Sequence, residues 1–188
     1  YLSFFGRPAE PAGLNNAINA LRSANAPKTI VELNGAYTTN AGVKSFFDAF
    51  ANSAEFNALH TGSLQTFVNT VYRFLIGRDV DSSVQTYSAN QISSGAKTKA
   101  EVILEIITSI LTNTNPTLQF DITCVVKKTA VSSNFTAAVD TPTEISAYSG
   151  YTATAKARQM LSYVSSTTDV NVFQPTVEST LASIVSGQ

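Results

Sequence analysis

The sequence Tyr-Leu-Ser-Phe-Phe-Gly-Arg at residues 1–7 returns as Tyr-Arg-Phe-Leu-Ile-Gly-Arg at residues 72–78. Each copy is followed by a turn with a carboxylate three residues after the arginine, Glu10 in the first copy and Asp81 in the second. A glycine after a short apolar run is typical of a helix end, because glycine readily adopts the left-handed conformation that closes the last turn. The duplication therefore predicts a chain built from helical pseudo-repeats.

Apolar residues outside the motif recur at intervals of three and four, which is the spacing of one helix face. The pattern is clearest at residues 64–75 and 102–111, and the second stretch is hydrophobic enough to predict a central helix. Thr98 and Glu101 form the sequence signature of a capping box in front of it. The alternation of apolar and polar residues that is typical of strands is nearly absent. The sequence predicts an all-α fold of about nine to eleven short helices.

The helical pattern divides the chain into three parts. Residues 1–62 are predicted to form repeat 1, residues 63–114 repeat 2, and residues 115–188 a C-terminal helical segment leading to a linker. Because Tyr1 stands where a helix should already be under way, we expect repeat 1 to be incomplete at its N-terminus. In the third part, residues 120–139 are predicted to form one long helix that carries Lys127 and Lys128 on its solvent side.

The composition limits the possible partners. The 188 residues can bury a substantial core. Only 13% of them are charged, against about 25% in an average globular domain. The net charge of −1 provides no basic surface for nucleic acid. No run approaches the roughly 18 apolar residues of a membrane span, so no transmembrane segment is predicted.

The residues that usually carry catalysis are sparse. Nucleophilic catalysis requires a base beside the nucleophile, and the sequence has one histidine and one cysteine. His60 lies in a loop-like Leu-His-Thr-Gly and is predicted to be an exposed surface residue or a helix cap. Cys124 is expected to be a small buried residue of a helix. One cysteine and one histidine cannot complete a zinc site. We therefore predict that the protein is not an enzyme.

Four residues are candidates for binding a glycan. Arg7 and Arg78 could donate hydrogen bonds to a sugar hydroxyl or a phosphate. They could instead bind carbonyls at the end of the preceding helix, or the carboxylate three residues on. Tyr148 and Tyr151, separated by Ser-Gly, could form a platform for sugar rings, or could pack a helix junction with their hydroxyls in water.

Asp79 and Asp81 are candidates for a calcium site. They offer two hard oxygen ligands near the end of a helix, a chemistry that calcium prefers. The sequence around them lacks the glycine and the glutamate of a complete EF-hand loop. In the alternative interpretation Asp81 simply caps the next helix.

Residues 1–14, together with Phe-Ala-Asn-Ser-Ala-Glu-Phe at residues 50–56, closely resemble a bacterial helical repeat family of unknown function. Residues 67–109 resemble it again, with Val84-Gln85 where the family has Gly-Leu. Proteins with this module include S-layer proteins, adhesins and RTX-type proteins exported by type I secretion. The resemblance implies an extracellular protein at the bacterial cell surface, held there against lipopolysaccharide.

From these observations we expect a non-enzymatic structural or anchoring module of a secreted surface-layer or surface filament protein. It would form a homo-oligomer or a lattice, bind surface polysaccharide or lipopolysaccharide, and need no cofactor in this segment other than calcium at the two aspartates. The alternative is a carbohydrate-binding adhesin module that recognises foreign glycans.

Overall fold

A computed structural model describes residues 1–187 and contains helices joined by short connections. The helices are α1 (Leu2–Phe5), α2 (Pro11–Ser23), α3 (Ile30–Thr39), α4 (Ala41–Ala51), α5 (Ala54–Leu59), α6 (Leu64–Ile76), α7 (Ser82–Ser93), α8 (Lys99–Leu111), α9 (Gln119–Ala138), α10 (Pro142–Ala147), α11 (Gly150–Ser162) and α12 (Gln174–Ser186). A 3₁₀ turn at Pro116–Leu118 precedes α9. Because residues 1–187 contain no strand, the predicted all-α fold is confirmed.

The described residues form twelve α-helices, slightly more than the nine to eleven predicted. The excess comes from α1, α5 and α10, which are only four to six residues long. The linker expected after the last helix lies outside the described residues.

Short polar side chains fix where six of these twelve helices begin. Each accepts a hydrogen bond from a backbone N–H of the first turn, which typically stabilises a helix by about 1 kcal/mol. The residues are Thr29, Asn40, Ser53, Ser63, Thr98 and Thr141. The full reciprocal capping box forms at Thr141 and Glu144, whereas at Thr98 only the first of its two hydrogen bonds is present.

The two glycines of the duplicated motif end their helices as predicted. Gly6 closes α1 at φ 65° and Gly77 closes α6 at φ 74°, both in the left-handed region. The two helices also pack against each other. A Cβ atom on Gly6 would lie 2.5 Å from the ring of Phe74 in α6, so the approach requires glycine. The two copies of the motif therefore meet in space.

One apolar core joins residues 1–62 to residues 63–114. It buries α8 most extensively, as expected, and is rich in aromatic rings from α1 and α4. The ring of Phe4 lies 5.6 Å from that of Phe50 and 5.9 Å from that of Phe56. Such pairs add about 0.5–1.5 kcal/mol each beyond the burial of their area. The two predicted repeats thus share one core. The boundary between them, at residues 62 and 63, stays a prediction.

A second core lies in the C-terminal segment, between α9, α10, α11 and α12. Its buried members include Val131, Phe135, Met160, Leu161 and Leu181. The predicted long helix is confirmed as the 20-residue α9. This helix contributes to both cores, because Val125 lies in the first and Val131 in the second.

Candidate functional site

The first arginine of the motif is buried in an ion-pair network. Because Gly6 turns the chain back, the Arg7 side chain returns toward α5 and is only 4% exposed. It donates from Nε and Nη2 to the two carboxylate oxygens of Glu55, at 2.6 and 2.7 Å. Its Nη2 also lies 2.7 Å from Glu10, and its Nη1 donates to the carbonyl of Pro8 at 2.9 Å. The predicted contact with the carboxylate three residues on is therefore present.

Tyr148 lies beneath this network and not on the surface. It is 2% exposed, its hydroxyl donates to the carbonyl of Pro8 at 2.8 Å, and its ring centre is 5.8 Å from the Arg7 guanidinium carbon. Burial raises the pKa of the hydroxyl. Tyr148 is therefore inaccessible to a glycan, and the prediction that its ring forms part of a platform for sugars is wrong. It packs a helix junction, but its hydroxyl is bonded to protein rather than to water.

Tyr151 stands at the mouth of a cleft beside the network. The side chain is 74% exposed, and it follows Gly150, whose φ of 76° begins α11. The cleft has a volume of about 280 Å³, and we call it the Arg7 cleft. Its lining comes from the α1–α2 connection, α5 and α11: Arg7, Glu10, Glu55, Ala58, Leu59, Gly150, Tyr151, Thr154 and Arg158.

Arg158 of α11 forms one wall of the Arg7 cleft. Its Nη1 donates to the carbonyl of Phe5 at 2.7 Å, and the same atom lies 3.8 Å from the carboxylate of Glu55. The cleft thus combines an exposed aromatic ring with two guanidinium groups and two carboxylates whose positions are fixed by ion pairs. Such a set can stack on an apolar ring face and exchange hydrogen bonds with hydroxyl groups.

The second arginine of the motif lies elsewhere and has a different partner. Arg78 donates from Nε and Nη2 to Asp121 of α9, at 3.1 and 2.5 Å, and contacts the ring of Phe120 at 5.5 Å. It makes no ion pair with Asp81, so the proposed contact with the carboxylate three residues on is wrong for this copy. Arg78 is not brought together with Arg7 in one site.

The two candidate calcium ligands have separate surroundings. The carboxylate of Asp79 is bound by Arg73 and by the amide of Asn69, and the hydrogen bond from Arg73 lowers its pKa. Asp81 occupies the N-cap position of α7, but its side chain makes no capping hydrogen bond. Within residues 1–187 no group of three or more acidic, histidine or cysteine side chains could hold a metal ion. Calcium at this turn would have to compete with Arg73, and it stays a prediction.

His60 is buried, although the sequence predicted a surface residue. It is 7% exposed, packs against the rings of Phe56 and Phe67, and has its Nε2 3.1 Å from the carbonyl of Phe4. Its Nδ1 is buried and has no hydrogen-bond partner within residues 1–187. Burial lowers the pKa of the ring. Cys124 is buried as predicted, and its thiol donates a hydrogen bond to the carbonyl of Val164, at 3.8 Å.

Lys128 was predicted to face solvent and is instead 1% exposed. Its Nζ donates to the carbonyls of Phe74 and Arg73 at the end of α6, at 2.9 and 3.3 Å. A cation at a helix C-terminus is favourable because it binds free carbonyls and opposes the helix dipole. The sequence contained a usable signal, because five of the six buried residues of α9 recur at intervals of three and four, at positions 121, 124, 128, 131 and 135.

Comparison with known proteins gives one match. Residues 47–111 match a family model described as a domain of unknown function (DUF4214). This range runs from the end of α4 to the end of α8, so it includes Glu55 of the Arg7 cleft and the second copy of the motif. No curated protein and no solved structure matches the chain. The helices within residues 1–187 are all too short or too polar to cross a membrane.

Proposed function

We propose that this chain is a non-enzymatic anchoring module of a secreted bacterial surface-layer or surface filament protein. It binds cell-surface polysaccharide, such as lipopolysaccharide, through the Arg7 cleft, and it packs against copies of itself outside the cell. The observation that carries this proposal is the exposed ring of Tyr151 beside the ion-paired Arg7 and Glu55.

The chemistry of the cleft suits a sugar. A pyranose ring has an apolar face of C–H groups and an equatorial rim of hydroxyls. Tyr151 offers an aromatic surface for the face, and Glu10 and Arg158 offer acceptors and donors for the rim. Glu55 holds Arg7 by two hydrogen bonds, Arg7 in turn pairs with Glu10, and the carbonyl of Phe5 holds Arg158. Because these polar groups are oriented before a ligand arrives, the entropic cost of binding is lower.

The surface composition supports close packing between copies. Twelve basic and thirteen acidic side chains nearly cancel, so long-range repulsion between copies is weak. Apolar side chains such as Phe120 and Val172 are exposed and available for contacts between subunits. The resemblance of residues 1–14 and 50–56 to modules of S-layer and adhesin proteins points in the same direction.

The binding test compares Tyr151→Ala with Tyr87→Ala. Tyr87 is 62% exposed on α7 and does not line the Arg7 cleft, so it is a matched control for the loss of an exposed ring. We expect wild type and Tyr87→Ala to bind lipopolysaccharide from Gram-negative cells that carry the protein, and Tyr151→Ala to bind it at least about tenfold more weakly. Equal binding by the two variants would refute the role of the cleft.

Two further measurements separate the alternatives. An array of host glycans tests the adhesin function, because an adhesin binds these sugars in preference to the lipopolysaccharide of its own cell. Electron microscopy and sedimentation of the purified chain test self-assembly. A chain that stays monomeric and binds no envelope polysaccharide would contradict the proposed function.

A further inference from the structure

A second cleft, on the other side of Arg158, has a different charge from the first. It lies between the end of α6, α9 and α11 and has a volume of about 290 Å³. Its lining is Gly6, Arg73, Phe74, Lys128, Ala155, Arg158, Gln159, Leu161 and Ser162. Three of these side chains are cationic and none is acidic, in a chain whose total charge is −1. We call it the Lys128 cleft.

The cations of the Lys128 cleft differ in how far they are neutralised. Arg73 is exposed and paired with Asp79. Arg158 lies 3.8 Å from Glu55, at the outer limit of an ion pair, and makes one hydrogen bond, to a carbonyl. Among residues 1–187, Lys128 has no acidic partner at all, because its two hydrogen bonds both go to backbone carbonyls. The positive charge at the base of the cleft is therefore offset by the carbonyl end of α6 and by no carboxylate of residues 1–187.

Lys128 is buried and Arg158 is half-buried, and both keep donors that are not used by the protein. Lys128 has a third N–H on its ammonium group, and Arg158 uses only one of its N–H groups in a hydrogen bond. Gln159 adds an amide at the exposed rim, whereas the hydroxyl of Ser162 donates to the carbonyl of Gln159 at 2.7 Å. Burial lowers the pKa of Lys128, so an anion that restores its charge balance would stabilise the protonated form.

We propose that the Lys128 cleft binds an anionic group, a phosphate or a carboxylate, such as that of a phosphorylated or acidic sugar. Lys128 and Arg158 provide the charge, and the side-chain amide of Gln159 provides a further hydrogen bond. A single anion there would satisfy the free donors of both cations in a partly enclosed site, where electrostatic attraction is stronger than in water. The two clefts share Arg158, but the inference rests on charge rather than on ring stacking, and it is tested at Gln159, which lines the Lys128 cleft and not the Arg7 cleft.

Replacement of Lys128 itself is a poor test, because the same side chain holds the end of α6. A carboxylate introduced at the rim of the cleft leaves the contact between Lys128 and α6 intact and is a better test. Gln159→Glu places a negative charge in the Lys128 cleft from an exposed position of α11. Thr152→Glu makes the same charge change at an exposed position of the same helix outside that cleft, and is the matched control.

The experiment is isothermal titration calorimetry with inorganic phosphate, glucose 1-phosphate, glucuronate and glucose, at constant ionic strength. We expect wild type and Thr152→Glu to bind at least one of the three anions saturably. We expect no binding of glucose to the Lys128 cleft. Gln159→Glu should bind the anion at least about tenfold more weakly, because like charges a few ångströms apart repel strongly in a partly enclosed site. The tighter of glucose 1-phosphate and glucuronate identifies the anionic group.

Two results would overturn the inference: no saturable binding of any of the three anions to wild type, or equal affinity of wild type and Gln159→Glu for the anion that binds. Tyr151→Ala should leave anion affinity unchanged, since Tyr151 does not line the Lys128 cleft. Failure of this inference is thus distinguishable from failure of the Arg7 cleft, which is tested by Tyr151→Ala and lipopolysaccharide.

Discussion

Glu55→Gln should destabilise the protein much more than its matched control, Asp79→Asn. The Arg7 guanidinium is almost completely buried, and Glu55 supplies two of its charge-assisted hydrogen bonds. The Asp79 carboxylate pairs with Arg73 instead, and the two side chains of that pair are 59% and 60% exposed. Both substitutions remove one negative charge and keep the shape of the side chain.

The magnitude follows from the two environments. Breaking a buried ion pair by removing one partner typically costs about 3–5 kcal/mol. Glu10 remains 2.7 Å from Arg7, and the side chain of Glu55 is 30% exposed, so part of that cost is recovered. We therefore expect about 2 kcal/mol for Glu55→Gln, which is a fall in Tm of about 4–8 °C in a chain of this size. The ion pair of Asp79 is exposed, and solvent screens such pairs, so Asp79→Asn should leave the free energy of unfolding nearly unchanged.

Urea denaturation followed by circular dichroism at 222 nm measures both free energies of unfolding. The native spectra should remain helical in both variants, so that the comparison concerns stability and not misfolding. If Glu55→Gln is no more destabilising than Asp79→Asn, the buried network is not a stabilising unit and the account of Arg7 is wrong.

Three further predictions concern single residues. Burial holds the pKa of His60 below its ordinary 6.5 in the folded state, so on acidification the unfolded state binds the proton first. The free energy of unfolding should therefore fall as the pH drops below 6.5, by at most about 1.4 kcal/mol per pH unit. His60→Gln should remove this part of the pH dependence in urea titrations between pH 7.5 and 5. In Gly6→Ala the new Cβ meets both a positive φ and a phenylalanine ring at 2.5 Å, whereas in Gly95→Ala it meets a positive φ in open space. Only Gly6→Ala should therefore lose more stability than the roughly 1–2 kcal/mol of left-handed strain. Equal losses of stability in the two variants would contradict the close approach of α1 and α6. Lys128→Met leaves the carbonyl of Phe74 unpaired, whereas that of Arg73 still accepts from the N–H of Gly77, so it should cost about 1–3 kcal/mol. Lys127→Met should stay within about 0.5 kcal/mol, and thermal melts of both variants decide whether the buried ammonium group acts as a cap.

Local features of the fold were predictable because their causes lie within a few residues. The helix ends at Gly6 and Gly77 follow from the preference of glycine for the left-handed region. The starts at Ser63 and Thr98 follow from side chains that accept hydrogen bonds three residues on. A reader of the sequence needs no tertiary information for these positions.

The surroundings of charged and polar residues were not predictable in the same way. Lys128 was assigned to solvent because lysine is seldom buried, yet the carbonyls that hold it belong to α6, more than fifty residues earlier. His60 was predicted at the surface because it lies in the loop-like sequence Leu-His-Thr-Gly, whereas its Nε2 lies 3.1 Å from the carbonyl of Phe4, 56 residues earlier. In both cases the distant contact overrides the local pattern.

The candidate site was predictable in part. Arg7 and Tyr151 were both identified as candidate ligand-binding residues, and the structure brings them into one cleft. Glu55 and Arg158 were missed, because their contacts to Arg7 and Phe5 span 48 and 153 residues of sequence. Tyr148 and Tyr151 also show that two tyrosines three residues apart can have opposite exposures when a helix begins between them.

The shared helix α9 has a mechanical consequence. At about 1.5 Å per residue its 20 residues form a rod about 30 Å long, with no hinge between the two cores. Tension applied to one half of the protein passes into the other along this rod and through the hydrogen bonds of Tyr148 and Arg158 to residues 8 and 5, so the two halves should resist stretching as a unit. A chain pulled from its two ends should then rupture in one step.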